Sequence, residues 1–290
     1  MTTPRVLILT TVMLMLAGTA RAEPPLWRVT GSRGTAVLFG SIHLLPSGLN
    51  WKPAELDAAV AKADELWFEI PIGGEADVHA ARLLQERGTL PRGDTLAAHL
   101  PPAMLDRLHA DAARVGLSAE AVDSLKPWLA DATLSIAADA RSGAQASQGV
   151  ERQIDALAPA RVRRHALESA ADQIGVLANG SMAEQVDLFA VTLDEVEKKP
   201  ETYQELVDAW VAADLRELRK EALDPLRTVS PRAYRALITD RNRRWCAEIA
   251  RRLKHRGSIV VVVGVGHLIG PDGLPTLLRA AGLTVEGPTE

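Results

Sequence analysis

Four side chains stand where strand-like runs end, and together their types suit a divalent metal. His43 closes Gly40-Ser-Ile-His43, and His267 closes Gly264-Val-Gly-His267. Glu69 lies in Trp67-Phe-Glu-Ile70, and Glu168 follows the run Arg161–Leu167. Two imidazoles and two carboxylates form a nitrogen-and-oxygen donor set fitted to Mn, Co or Zn. Each residue taken singly has a plainer reading. A histidine after a strand is commonly a hydrogen-bonded loop residue, and a strand glutamate is commonly solvated or half of a salt bridge. Repetition of Gly-x-x-His shifts the balance, because glycine there lets the backbone come close to whatever the ring touches. Glu69, flanked by bulky apolar residues, needs a partner where it is buried.

Open α/β sheets bind ligands at the carboxyl ends of their strands, so these four residues require such a sheet. Leu26–Thr30 and Thr35–Ser41, joined by Gly31-Ser-Arg-Gly34, read as a hairpin. Pro46 through Lys52 reads as a loop, and Pro53 opens a helix to about Ala63 with Leu56, Ala59 and Val60 on one face. Glu65–Ile70 then reads as a strand stopped by Pro71, completing a right-handed βαβ unit. Near the C-terminus, Ser258–Val263 is apolar at every position after Ser258, as in a parallel strand covered on both faces. Leu283–Val285 offers a last strand.

Between these runs the chain is mostly helical. Pro102–Val115 ends at Gly116, and Ser181-Met-Ala-Glu184 is a capping box. Ser230-Pro231 opens a helix carrying Tyr234, Leu237, Ile238, Trp245, Ile249 and Leu253. Its arginines read mostly as a solvated face, and Gly143–Gly149 as an exposed loop. The expected fold is α/β: a central mixed, mostly parallel sheet flanked by helices. It forms a single domain over 23–290, with a large helical insertion at roughly 73–257.

Composition narrows the function. The chain has 290 residues, 47% apolar and 24% charged, an ordinary globular balance. Cys246 is its one cysteine, which excludes an intrachain disulfide and a cysteine zinc cluster. Arg5, the apolar run Val6–Ala17 and Ala20-Arg-Ala22 match a secretory leader, residues 1–22, cleaved after Ala22. The run is shorter than the roughly 20 residues of a bilayer span, and no later run is long and apolar enough. The expected destination is periplasmic or secreted. Losing Arg5 and Arg21 leaves 31 basic against 37 acidic residues, a charge of −6, which argues against nucleic-acid partners.

Leu38-Phe-Gly-Ser-Ile-His43, Trp67-Phe-Glu-Ile70 and Val263-Gly-Val-Gly-His-Leu-Ile-Gly270 with Gly273-Leu274 resemble the TraB/PrgY/GumN family. That family includes bacterial secreted proteins and the domain of the animal Tiki proteins. The resemblance runs from about Leu26 to Val285, with softer matches at Leu167-Glu168, Gln173 and Arg241-Asn242. Where the family often has Gly-hydrophobic-Asp, this chain has Gly149-Val150-Glu151. The resemblance implies a Tiki-like α/β domain and metal-dependent proteolysis using Mn or Co. It implies that His43 and His267 bind metal, that Glu69 is ligand or general base, and that Arg241 stabilises an oxyanion. Glu69, Arg241 and Glu168 are then the catalytic candidates.

Other signatures are missing or incomplete. There is no His-Glu-x-x-His helix, Gly-x-Ser-x-Gly elbow or P-loop. Gly264-x-Gly266-x-x-x-Gly270 imitates a dinucleotide turn, but Pro271 and Pro275 disturb the helix after it. The expected function is a metal-dependent hydrolase of peptides. The alternative is a non-catalytic protein that holds a ligand or partner in the same cleft.

Overall fold

The valines after Ser258 form the strand on which the sheet is built. The computed structural model describes residues 23–199 and 201–289, and the expected leader lies outside the described residues. Its strands are β1 (Leu26–Thr30), β2 (Gly34–Ser41), β3 (Leu45–Pro46), β4 (Glu65–Phe68), β5 (Ala144–Gln145), β6 (Arg163–Ala166), β7 (Gly257–Gly264) and β8 (Thr284–Glu286). Six of them form one sheet in the order β6-β4-β7-β2-β1-β8. β7 lies parallel between β2 and β4, and Ile259 through Val263 are at most 1% exposed. A strand buried on both faces can be apolar at every position, which explains its unbroken valine run.

β6 continues the parallel set beside β4, while β1 and β8 add an antiparallel edge. The fold is therefore α/β, with a mixed, mostly parallel sheet flanked by helices. The crossover from β2 through the helix Ala54–Lys62 to β4 skips one position, which the late strand β7 fills. Register aligns the strand ends. Ser41 stands level with Gly264, and Phe68 pairs with both Val262 and Ala166. Chain leaving β2, β4, β6 and β7 thus emerges on one side of the sheet.

Helix signals act as the sequence implies. Ser181 and Glu184 cap each other's backbone groups, and Gly116 ends its helix at φ 87°. Ser230 accepts from the Ala233 N–H, but the helix it opens is interrupted by a π-helical turn over Arg235–Thr239. Beyond it, Asp240–Arg252 buries Arg241, Asn242, Trp245 and Ile249. Of the apolar residues expected on this helix, Tyr234, Ile238, Trp245, Ile249 and Leu253 are nevertheless all buried. Arg252 also departs from the solvated reading, since its Nε donates to the buried Glu65 carboxylate at 3.1 Å.

Two other expectations shift. β4 ends at Phe68 rather than Ile70, although the backbone ladder continues through Leu167 N–H to Phe68 O and Glu168 N–H to Glu69 O, both 2.9 Å. Residues 143–149 are not simply an exposed loop: β5 pairs with β3, and Val150 N–H donates to Ile42 O at 3.1 Å. A two-residue ladder is too short to leave a periodicity, so only tertiary contact reveals it. The main core covers the sheet, and a second core, including Leu108, Leu134 and Phe189, lies among the helices Pro102–Val115, Pro127–Arg141 and Met182–Lys198. No helix among the described residues is long and apolar enough to cross a membrane.

Candidate functional site

Both Gly-x-x-His turns leave parallel neighbours, and their glycines are where they touch. A side chain at Gly40 would place its Cβ 2.9 Å from Val265 Cγ2, inside the other turn. One at Gly264 would stand 3.2 Å from Glu69 Oε1, which accepts the Gly264 N–H at 2.7 Å. The glycines therefore serve close backbone approach, one turn to the other and the second to a carboxylate.

Glu69 is buried and held from several sides. Its Oε2 accepts from Arg241 Nη2 at 2.7 Å and Gln173 Nε2 at 2.8 Å, while His267 Nε2 lies 3.7 Å from Oε1. Arg241 also grips Glu168, through Nη2 at 2.7 Å and Nε at 3.0 Å, and donates to Leu237 O within the π turn. Its guanidinium lies over the Trp245 ring, 4.6 Å from the centroid, and the same ring lies 4.6 Å from His267. One planar cation thus joins two carboxylates, a carbonyl, an imidazole and an aromatic face, which a lysine ammonium could not do.

Hydrogen bonds fix the state of His267. Asn242 Nδ2 donates to His267 O and Asp272 O, so Oδ1 is its acceptor and faces His267 Nδ1 at 2.6 Å. The ring proton therefore sits on Nδ1. Nε2 keeps a lone pair, into which Arg241 Nη1 donates at 3.0 Å. Burial, with Arg241 and His43 against the pull of Glu69, lowers the His267 pKa to about 4, so the ring is neutral near pH 7.

His43 is its opposite. Its Nδ1 donates to Glu151 Oε1 at 2.7 Å, and Ser41 Oγ donates to the same oxygen at 2.5 Å. The Glu151 carboxylate raises the His43 pKa to about 9 against burial and Arg241, with a smaller contribution from Glu69. About two-thirds of the side chain meets solvent, so this pairing rather than enclosure governs its charge. Burial disfavours the charged form of Glu69, yet His267, Arg241, His43 and the Gly264 N–H lower its pKa to about 2. Glu168 goes the other way, raised chiefly by burial despite Arg241.

The structure thus brings Glu69, Glu168, Arg241 and His267 into direct contact or one residue from it. His43 faces an open cleft of about 310 Å³ that Glu69 and Glu151 also line. Sequence reasoning gave no role to Ser41, Glu151 or Trp245. Gly149-Val-Glu151 was the visible signal for Glu151, and Gly149 is the reason it reaches His43. A Cβ there would lie 2.1 Å from His43 O. Gly149→Ala is expected to cost about 1–3 kcal/mol by overpacking. It should also return the His43 titration toward 6.5, as NMR of the imidazole would show; an unchanged titration would separate Gly149 from this pair.

A family model for TraB/PrgY/gumN proteins matches residues 25–287. The chain belongs to the TraB/PrgY/gumN family. No curated protein and no solved structure matches it. Family membership covers nearly all of the described chain, including both Gly-x-x-His turns and the helix bearing Arg241.

A divalent cation would suit this TraB/PrgY/gumN chain in donor type. Each histidine donates Nδ1–H to an oxygen, Glu151 or Asn242; Nε2 of His267 keeps a lone pair, whereas His43 would offer its Nε2 only after releasing the proton that Glu151 favours. Acceptors at Nδ1 orient metal-binding imidazoles in this way. As they stand, no three His, Cys, Asp or Glu side chains among the described residues converge on one ion position. Arg241 holds the lone pair of His267 that a cation would use.

Proposed function

We propose that this TraB/PrgY/gumN protein is a metal-dependent, peptidase-like hydrolase acting in the periplasm or outside the cell. The observation that carries the reading is the ionised Glu69 beside two histidines, each tethered at Nδ1 by an oxygen acceptor. His43, His267 and Glu69 would hold Mn, Co or Zn. A bound cation would polarise a carbonyl and lower the pKa of water toward neutrality. Arg241 supplies a fixed positive charge for oxyanion development, and Glu168 positions it through its two-atom grip. Glu69 is ionised and can receive a proton, while Glu151 and Ser41 keep the His43 ring in place. The leader-like residues 1–22 support the location.

One observation favours the alternative, a non-catalytic ligand-binding protein: Arg241 already satisfies both Glu69 and His267. Elemental analysis and turnover of a synthetic peptide mixture with Mn, Co or Zn distinguish the two. Catalysis predicts stoichiometric metal and a loss of about a hundredfold in Glu69→Gln and His267→Ala. Absence of turnover with every metal, alongside a folded protein, leaves the binding reading.

A further inference from the structure

The cleft in front of His43 has a wall that the chemistry above does not use. Its apolar lining is Phe68, Ile70, Ile72 and Ala146, of which Phe68 is 2% exposed and belongs to the main core. Pro71 between the isoleucines has no N–H to extend the sheet, so the segment leaves it at this point. Both isoleucines are only partly buried. Ile72 packs on the main core, and Ile70 packs on the small cluster of Leu83, Trp128, Ala170 and Ile174. Their backs are anchored, so this wall is formed before any ligand arrives.

Charges lining the cleft are already matched. Glu151 pairs with His43, Glu69 with Arg241, and Arg152 with Asp77 at 2.7 Å. A charged side chain entering here would lose water and find no free opposite charge. An apolar one would cover the exposed parts of Ile70 and Ile72. At about 310 Å³ the space suits a few residues of an extended segment rather than a folded domain.

We infer that Ile70 and Ile72 select peptides carrying a large apolar side chain beside the bond presented to His43. The inference rests on the hydrolase reading for its kinetic form, and binding tests it separately. The probes are decapeptides identical except for Leu, Phe, Ala, Asp or Lys at one position, offered to the full chain with Mn, Co or Zn.

The Leu and Phe peptides are expected to exceed the Asp and Lys peptides in kcat/KM by about tenfold or more. Ile72→Asp should reverse the ratio of Leu to Lys cleavage, a change that general misfolding cannot produce. Equal rates across the series, or an Ile72→Asp loss proportional for all peptides, overturn the inference. If no peptide is cleaved, the hydrolase reading fails. Fluorescence anisotropy with the same peptides then decides the selection: Leu should bind about tenfold tighter than Asp, and equal binding refutes it.

Discussion

Replacing Arg241 by Met is expected to lower the unfolding free energy by about 3–5 kcal/mol, a large fraction of the stability of a domain. The guanidinium is 5% exposed, and the carboxylates it joins, Glu69 and Glu168, are 10% and 4% exposed as side chains. Methionine fills much of the same space but leaves Glu69 without its guanidinium and Glu168 with only the more distant Arg244, 3.6 Å away. The cost of stranding these charges exceeds what the pairing contributes over a neutral isostere. Arg241→Met combined with Glu168→Gln should therefore recover part of the loss, since one of the stranded charges is gone. Urea unfolding of the single and double variants checks this. A loss below about 1 kcal/mol, or a double variant no better than the single one, would mean that Arg241 does not hold the acids together. Arg241→Lys should resemble Met more than wild type, because one ammonium cannot span the planar set of acceptors.

The sheet was legible where burial dictates composition. β7 announced itself because a strand covered on both faces tolerates only apolar residues, and β1 and β2 because a glycine-bounded turn joins them. The order of the strands was not legible, since β7 enters between β2 and β4 only after the long helical region has been completed. His43, Glu69, Glu168 and His267 could be picked out by their position at strand ends. Their partners were harder, because partners depend on contact rather than pattern. Asn242 fixes the His267 tautomer from the helix that precedes β7, and Glu151 fixes His43 across a ladder of two residues. Arg241 shares the buried face of its helix with Ile238 and Trp245, so spacing places it inward but does not reveal which carboxylates it meets. What sequence gives at such a site is the donors; what folding adds is their protonation.

That protonation should be readable in the pH dependence of stability of the metal-free chain. The His267 pKa is near 6.5 unfolded and about 4 folded, so between these values the unfolded chain takes up a proton that the folded chain refuses. Its contribution is complete above pH 6.5 and is lost as pH falls to about 4, amounting to roughly 3 kcal/mol. Glu69, lowered from 4.5 to about 2, contributes fully above pH 4.5 and loses that contribution as pH falls toward 2. His43 acts in the other direction: raised to about 9, its pairing stabilises below pH 6.5 and fades as pH rises through 9. Solvent reaches two-thirds of its side chain and screens the pair, so the alkaline slope should be the shallower one. Urea unfolding of EDTA-treated protein from pH 4 to 9 should then show maximal stability near pH 6.5. His267→Gln, whatever its stability at pH 7, should flatten the decline between pH 6.5 and 4. An unchanged slope in that window would place the buried proton on some other group and undo the assignment of His267 as the neutral partner of the pair.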